Sequence, residues 1–269
     1  MTGAMIDFAR RTAVRLCLAS VLSMVLGPVK SASLPDTIDK VRPSVVAVGS
    51  YQPTRRPPGN FRGTGFVVGD GRWVVTNYHV LPEAVDYANL ERIAVFVGRG
   101  KAVQMRSAKV VADDPGHDLA LLSISGDPLP ALALGGGRAR EGEEVAFTGF
   151  PIGMVLGLYP VTNRGIISAI SPVAPPQMAA RQLTARQIRA MRDPYDALQL
   201  DATAYPGNSG SPVYRQDTGV VVGVVNSVLV KGTKEAALEH PTGISYAIPV
   251  KFVKALLAEA KRKAGKESP

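Results

Sequence analysis

The chain holds a single cysteine, Cys17, so neither a disulfide scaffold nor a zinc site built on several cysteines is available to it. Histidine is nearly as scarce. His79, His117 and His240 are not clustered and leave little for a histidine-rich metal site. Aromatic residues make up 6% and charged residues 20% of the 269 positions, against 46% hydrophobic. That balance supports a large buried core and argues against disorder over most of the chain. The 27 glycines and 21 prolines follow no period, which excludes collagen-like architecture and indicates many turns. The net charge of +9 sits at the two ends. The first 33 residues carry Arg10, Arg11, Arg15 and Lys30 against Asp7, and the tail carries Lys251, Lys254, Lys261, Arg262, Lys263 and Lys266 against Glu259 and Glu267. The remainder is nearly neutral, so no basic face for nucleic acid is expected.

Residues 1–33 read as an export signal. A basic start leads into the uncharged run Leu16 to Val29, and Lys30-Ser31-Ala32-Ser33 supplies small residues at a cleavage site. The run is short of the roughly 18–20 residues of a spanning helix. An uncleaved anchor is the competing reading. Cleavage near Ser33 removes Cys17, so the exported protein holds together by packing alone and has no stable membrane insertion.

From about residue 43, short apolar runs alternate with turn residues: Ser44–Val48, Gly65–Val68, Trp73–Thr76, Ile93–Val97, Leu119–Ile124, Val145–Thr148, Val161–Ile170, Leu198–Leu200, Gly219–Val225 and Ile244–Ile248. Val- and Ile-rich runs of this length predict strands, and Gly69-Asp70-Gly71 predicts a hairpin. Long helices do not alternate with them, so the expected class is all-β, a barrel or sandwich. Residues 179–192 favour helix inside an arginine-bearing insertion. Residues 249–264 predict a C-terminal helix with Val250, Val253, Leu256, Leu257 and Ala260 on one face. A seam between halves is expected around 126–142, where glycines and prolines gather.

The strongest chemical signal is Gly207-Asn208-Ser209-Gly210-Ser211-Pro212. Acyl transfer needs an activated hydroxyl beside backbone N–H groups that hold a developing oxyanion, and a serine between glycines can supply both. A turn without chemistry is the simpler reading of such a segment. A base must accompany the serine. His79 ends an apolar strand, and Asp118 opens the run Leu119-Ala120-Leu121-Leu122, where it could be buried and orient an imidazole. His117 and His240 read as loop residues.

The order His79, Asp118, Ser209 is that of the chymotrypsin-type double barrel and differs from the subtilisin and α/β-hydrolase orders. The segments Thr76-Asn77-Tyr78-His79-Val80, Asp118-Leu119-Ala120-Leu121-Leu122 and Pro206-Gly207-Asn208-Ser209-Gly210-Ser211-Pro212 resemble the trypsin-like serine proteases. They are most similar to the protease domain of the HtrA/Deg family. Gly63-Thr64-Gly65-Phe66-Val67-Val68, Gly165-Ile166-Ile167-Ser168-Ala169 and Gly243-Ile244-Ser245-Tyr246-Ala247-Ile248-Pro249 extend the likeness over roughly residues 40–257.

The resemblance implies two six-stranded antiparallel β-barrels, at 34–130 and 131–250, followed by a helix and basic tail at 251–269. It implies His79 as general base, Asp118 as orienting carboxylate and Ser209 as nucleophile, with an oxyanion hole at Gly207, Asn208 and Ser209. A substrate pocket at Thr203, Val225 and Asn226 is expected to take small or medium aliphatic side chains. No metal or organic cofactor is implied. Implied partners are protein or peptide substrates, with no nucleic acid, and the implied place is the periplasm or beyond.

Departures narrow these expectations. HtrA proteins normally carry PDZ domains after the protease, whereas about 12 residues follow Leu257, so regulation through a PDZ groove is not expected in this chain. Thr203 stands where trypsin has the aspartate that selects Lys or Arg. Glutamyl endopeptidases share Gly-Ser-Pro after the nucleophile, but their pocket histidine would fall near Val225. Asn208 replaces the aspartate that pairs with a new amino terminus in digestive trypsins, so control is expected instead from loops 172–196 or 227–242. Two other functions stay open: a protease-fold binding or chaperone protein without cutting, and an anionic-surface module using Lys261–Lys266.

Overall fold

The computed structural model describes residues 32–151, 157–172, 195–226 and 243–267. The expected leader up to residue 31, the insertion helix at 179–192, most of the two control loops, and His240 lie outside the described residues.

Residues Ser33–Pro269 form one compact unit. It begins with α1 (Leu34–Val41), a helix that no expected element covers. The Ser33 hydroxyl donates to the Asp36 carboxylate at 2.6 Å, and the Ser33 N–H reaches the same oxygen at 3.3 Å. These bonds hold the Asp36 carboxyl below the ordinary carboxylate range and close the first turn.

Among the described residues, twelve strands follow. β1 (Val45–Tyr51), β2 (Gly59–Val68), β3 (Trp73–Asn77), β4 (Arg92–Val97), β5 (Gln104–Asp114) and β6 (Leu119–Ile124) close into one barrel in the order 1-2-3-6-5-4. β7 (Glu144–Gly149), β8 (Val161–Pro172), β9 (Asp196–Asp201), β10 (Pro212–Arg215), β11 (Val221–Val225) and β12 (Ile244–Pro249) close into a second, ordered 10-11-12-9-8-7. Every strand pair is antiparallel. Closure removes the unpaired edges that an open sheet would expose.

Alternation explains why the strands read as continuous apolar runs. Val46 and Val48 face the interior of the first barrel with Val67, Val74 and Leu122, while Val45 and Ala47 face outward against Phe150 and Tyr214 of the second half. Leu119 and Leu121 likewise turn away from the barrel they belong to and pack with Val221, Val224 and Ile248. Strands buried on both faces lose the polar half of the usual pattern. The connection between the barrels holds to both: Leu132 N–H donates to the Val67 carbonyl and Gly135 N–H to that of Val221.

α2 (Val250–Glu267) packs on β5, β6, β11 and β12 through Val250, Val253, Leu256 and Ala260, and runs three residues beyond the expected end. His117 helps to seat it. Its ring stacks on Phe252 with centroids 3.7 Å apart, and its Nδ1 lies 2.6 Å from Asp114 Oδ2.

Candidate active site

Strand pairing creates the first half of the site. Asn77 at the end of β3 pairs with Leu119 at the start of β6, so the next residue on one strand and the preceding residue on the other become neighbours. The chain turns out of β3 in a short 3-10 segment, Tyr78–Val80, whose Tyr78 N–H donates to the Asp118 carbonyl at 3.0 Å. The Asn77 side-chain amide donates to the same carbonyl at 3.0 Å. Asp118 adopts φ +56°, a left-handed conformation unusual for a residue with a side chain. Its carboxylate then meets His79 twice: Oδ1 accepts the His79 N–H at 3.0 Å, and Oδ2 lies 2.6 Å from Nδ1. Asp118 is buried, and the His79 side chain is 20% exposed. With its proton on Nδ1 facing Asp118, a neutral His79 presents Nε2 as an acceptor.

The second half comes from the other barrel. Tyr205-Pro206-Gly207-Asn208 forms a tight turn in which Asn208 N–H donates to the Tyr205 carbonyl at 2.9 Å. Proline at the second position and φ +98° at Gly207 mark it as type II. Gly210, at φ +89°, turns the chain again after Ser209, and a Cβ there would collide with the Thr64 carbonyl oxygen. Ser211 N–H donates to the Asn208 carbonyl at 2.9 Å, which closes a second turn around Ser209. Ser209 itself is 3% exposed. Its carbonyl accepts from Thr64 N–H on β2 at 2.9 Å, and Thr76, three residues before His79, donates its hydroxyl to the Thr64 carbonyl at 2.7 Å. A Cβ on Gly63 would touch both Val80 and the Ser209 carbonyl, so the serine turn rests against the segment that carries His79.

The expected site residues divide on these contacts. Gly207 N–H has no acceptor among the described residues and remains available to a ligand. The N–H of Asn208, an expected oxyanion donor, is engaged in closing the turn. The three expected pocket residues lie in different surroundings. Val225 is a fully buried core residue packed with Leu198, Leu200 and Ala247. Asn226 crosses from the second barrel to donate its side-chain amide to Asp118 Oδ2 at 2.9 Å. Thr203 stays half-buried in the approach to the serine turn. Among the described residues no group of His, Cys, Asp or Glu is placed to hold a metal ion, and no helix is long and apolar enough to cross a membrane.

A family model described as a trypsin-like peptidase domain matches residues 63–224. The chain belongs to that family. Members similar to it include "Probable periplasmic serine endoprotease DegP-like" of Chlamydia muridarum, 32% identical over 206 residues that cover 77% of this chain and 35% of the relative. "Serine protease HTRA1A" of Danio rerio is 31% identical over 232 residues, 84% of this chain and 41% of that protein. The chain therefore spans well under half the length of these relatives. A solved serine endoprotease from Yersinia pestis shares the fold of the trypsin-like domain at a TM-score of 0.59 and 24% identity, over 87% of this chain and 68% of that one.

Proposed function

We propose that this trypsin-like domain is an exported serine endopeptidase. The observation that carries the reading is the Asp118–His79 pair at 2.6 Å, set against a serine turn whose Gly207 N–H is unengaged among the described residues. In the first half-reaction His79 Nε2 takes the proton of the Ser209 hydroxyl as its oxygen attacks the scissile carbonyl carbon. The carbonyl electrons move onto oxygen, where the amides of Gly207 and Ser209 hold the charge. Collapse breaks the C–N bond, and the imidazolium returns its proton to the leaving amine. Water, deprotonated by the same imidazole, then releases the acid and restores Ser209. Asp118 keeps the imidazole in the working tautomer and stabilises its charged form.

The leader-like residues 1–33 and relatives whose names place them in the periplasm support export to that compartment, with protein quality control or processing as the role. Thr203 is the remaining pocket candidate. The test is a fluorophosphonate probe read by intact mass on residues 34–269, beside Ser209→Ala. One label per chain, mapped to Ser209 and lost in the variant, is expected. A folded protein that takes no label would instead favour a protease fold that binds without cutting.

A further inference from the structure

We propose that Thr64, a residue of the first barrel, is a positioning residue for the serine turn of the second. The inference rests on the reading of Ser209 as nucleophile and Gly207 N–H as an oxyanion donor. Thr64 lies on β2, fully buried, and all of its polar groups are engaged. Its N–H donates to the Ser209 carbonyl at 2.9 Å. Its hydroxyl donates to the Gly207 carbonyl at 2.7 Å and accepts from Phe150 N–H at 3.0 Å. Its carbonyl accepts from the Thr76 hydroxyl at 2.7 Å.

The consequence is geometric. The nucleophile and the donor belong to one barrel, while the imidazole belongs to the other. Their separation is set by whatever ties the turn at 207–210 to β2 and β3. Thr64 grips that turn at two carbonyls, one on each side of the nucleophile's own amide. One of the grips uses the backbone N–H alone and would survive any substitution but proline. The other, at Gly207, exists only because residue 64 carries a hydroxyl. Glycine offers little conformational resistance of its own, so the Gly207 end of the turn depends on this external hold. A displacement of about 1 Å at a reacting group can cost on the order of a hundredfold in rate. A strand-forming threonine among apolar neighbours gives no sequence signal of such a task.

Thr64→Val keeps the shape and removes the hydroxyl; Thr64→Ser keeps the hydroxyl and removes the methyl. On a peptide substrate, Thr64→Val should lower kcat by about tenfold to a hundredfold, below the ~10²–10³ of losing an oxyanion donor outright. KM should stay within about threefold, and Thr64→Ser should restore kcat to within a few-fold of the parent. Amide hydrogen exchange gives a readout independent of turnover: the Asn208 N–H, which closes the turn, should exchange about tenfold faster in Thr64→Val and at the parent rate in Thr64→Ser. Equal exchange in Thr64→Val and the parent overturns the proposal, as does a Thr64→Ser variant as impaired as Thr64→Val. Should Thr64→Val fail to fold, Thr64→Cys, with its weak donor, carries the same comparison. A parent protein that neither turns over nor takes a fluorophosphonate sinks the Ser209 reading alone, and the exchange comparison still decides Thr64.

Discussion

Asn208→Asp is the most informative single change for the interior of the site. The Asn208 side chain is fully buried, and neither atom of its amide has a hydrogen-bond partner among the described residues. Ser211 Oγ, beside it, is likewise unpaired among them, and a Cβ on Gly149 would reach Ser211, Asn208 and Thr64 together. An aspartate of the same shape would place a carboxylate there with no cation to meet it. Burial disfavours the charged form, so the carboxyl is raised in the folded state relative to the unfolded chain. The variant is therefore penalised where the unfolded aspartate is ionised and the folded one is not. Below about pH 4 both states are protonated and the penalty vanishes; it grows as pH rises until the folded carboxyl ionises too. A group still protonated at pH 7, against about 3.9 when unfolded, costs about 4 kcal/mol. At about 2–4 °C per kcal/mol for a domain of this size, the expected loss in Tm is about 8–16 °C at pH 7. Thermal unfolding followed by circular dichroism from pH 4 to 8 measures it. A variant whose Tm runs parallel to the parent over that range would refute the reasoning, because it would mean that a cation or solvent reaches residue 208.

Two further outcomes are expected. Asn226→Ala removes a side-chain donor to the Asp118 carboxylate, beside the contacts from His79; a charge-assisted bond of about 1.5–3 kcal/mol implies a kcat lower by about tenfold or more with KM little changed, read on a peptide substrate. Glu91 accepts bonds from the Ser50 hydroxyl at 2.6 Å, from the Asp86 N–H at 3.1 Å and from Arg55 at 3.0 Å, and these hold its carboxyl below the ordinary range. Its stabilisation is present above the unfolded value and is lost as pH falls through the folded one. Glu91→Gln should therefore lower Tm at pH 7 and converge with the parent as pH falls through the lowered folded value in a pH series of melts.

Each of the ten apolar runs marks a strand, with only Ser44 and Gly219-Val220 outside the strand bounds, because closed and mutually packed barrels bury both faces and leave strong runs behind. The two strands without a run have clear physical reasons. β5 buries only the small residues Ala108, inside the barrel, and Ala112, on its outer face with Leu119 and Leu121, and exposes Lys109, Val110 and Val111, so its buried positions carry little hydrophobic signal. β10 has four residues directly after Ser211 and reads as part of the turn. α1 was hidden because its first residues follow the leader and its two buried side chains, Thr37 and Val41, make too short a stripe. His79 and Asp118 were legible because strand ends bring them together locally across one ladder. The contacts of Asn226 and Thr64 join residues 108 and 143 positions apart, a relation that no local pattern records. Where the Asn208 N–H points depends on how Pro206 and Gly207 set the turn, which the Gly-Asn-Ser-Gly pattern alone does not specify.

The most direct test of the account follows a single turnover. Residues 34–269 are mixed with an activated ester, quenched in acid within the first turnover, and analysed by intact mass and peptide mapping. The account expects a transient acyl adduct on the peptide containing Ser209, formed before hydrolysis product accumulates and missing in Ser209→Ala. A protein that hydrolyses the ester without ever carrying the acyl group on Ser209, or that carries it on another residue, contradicts the central claim.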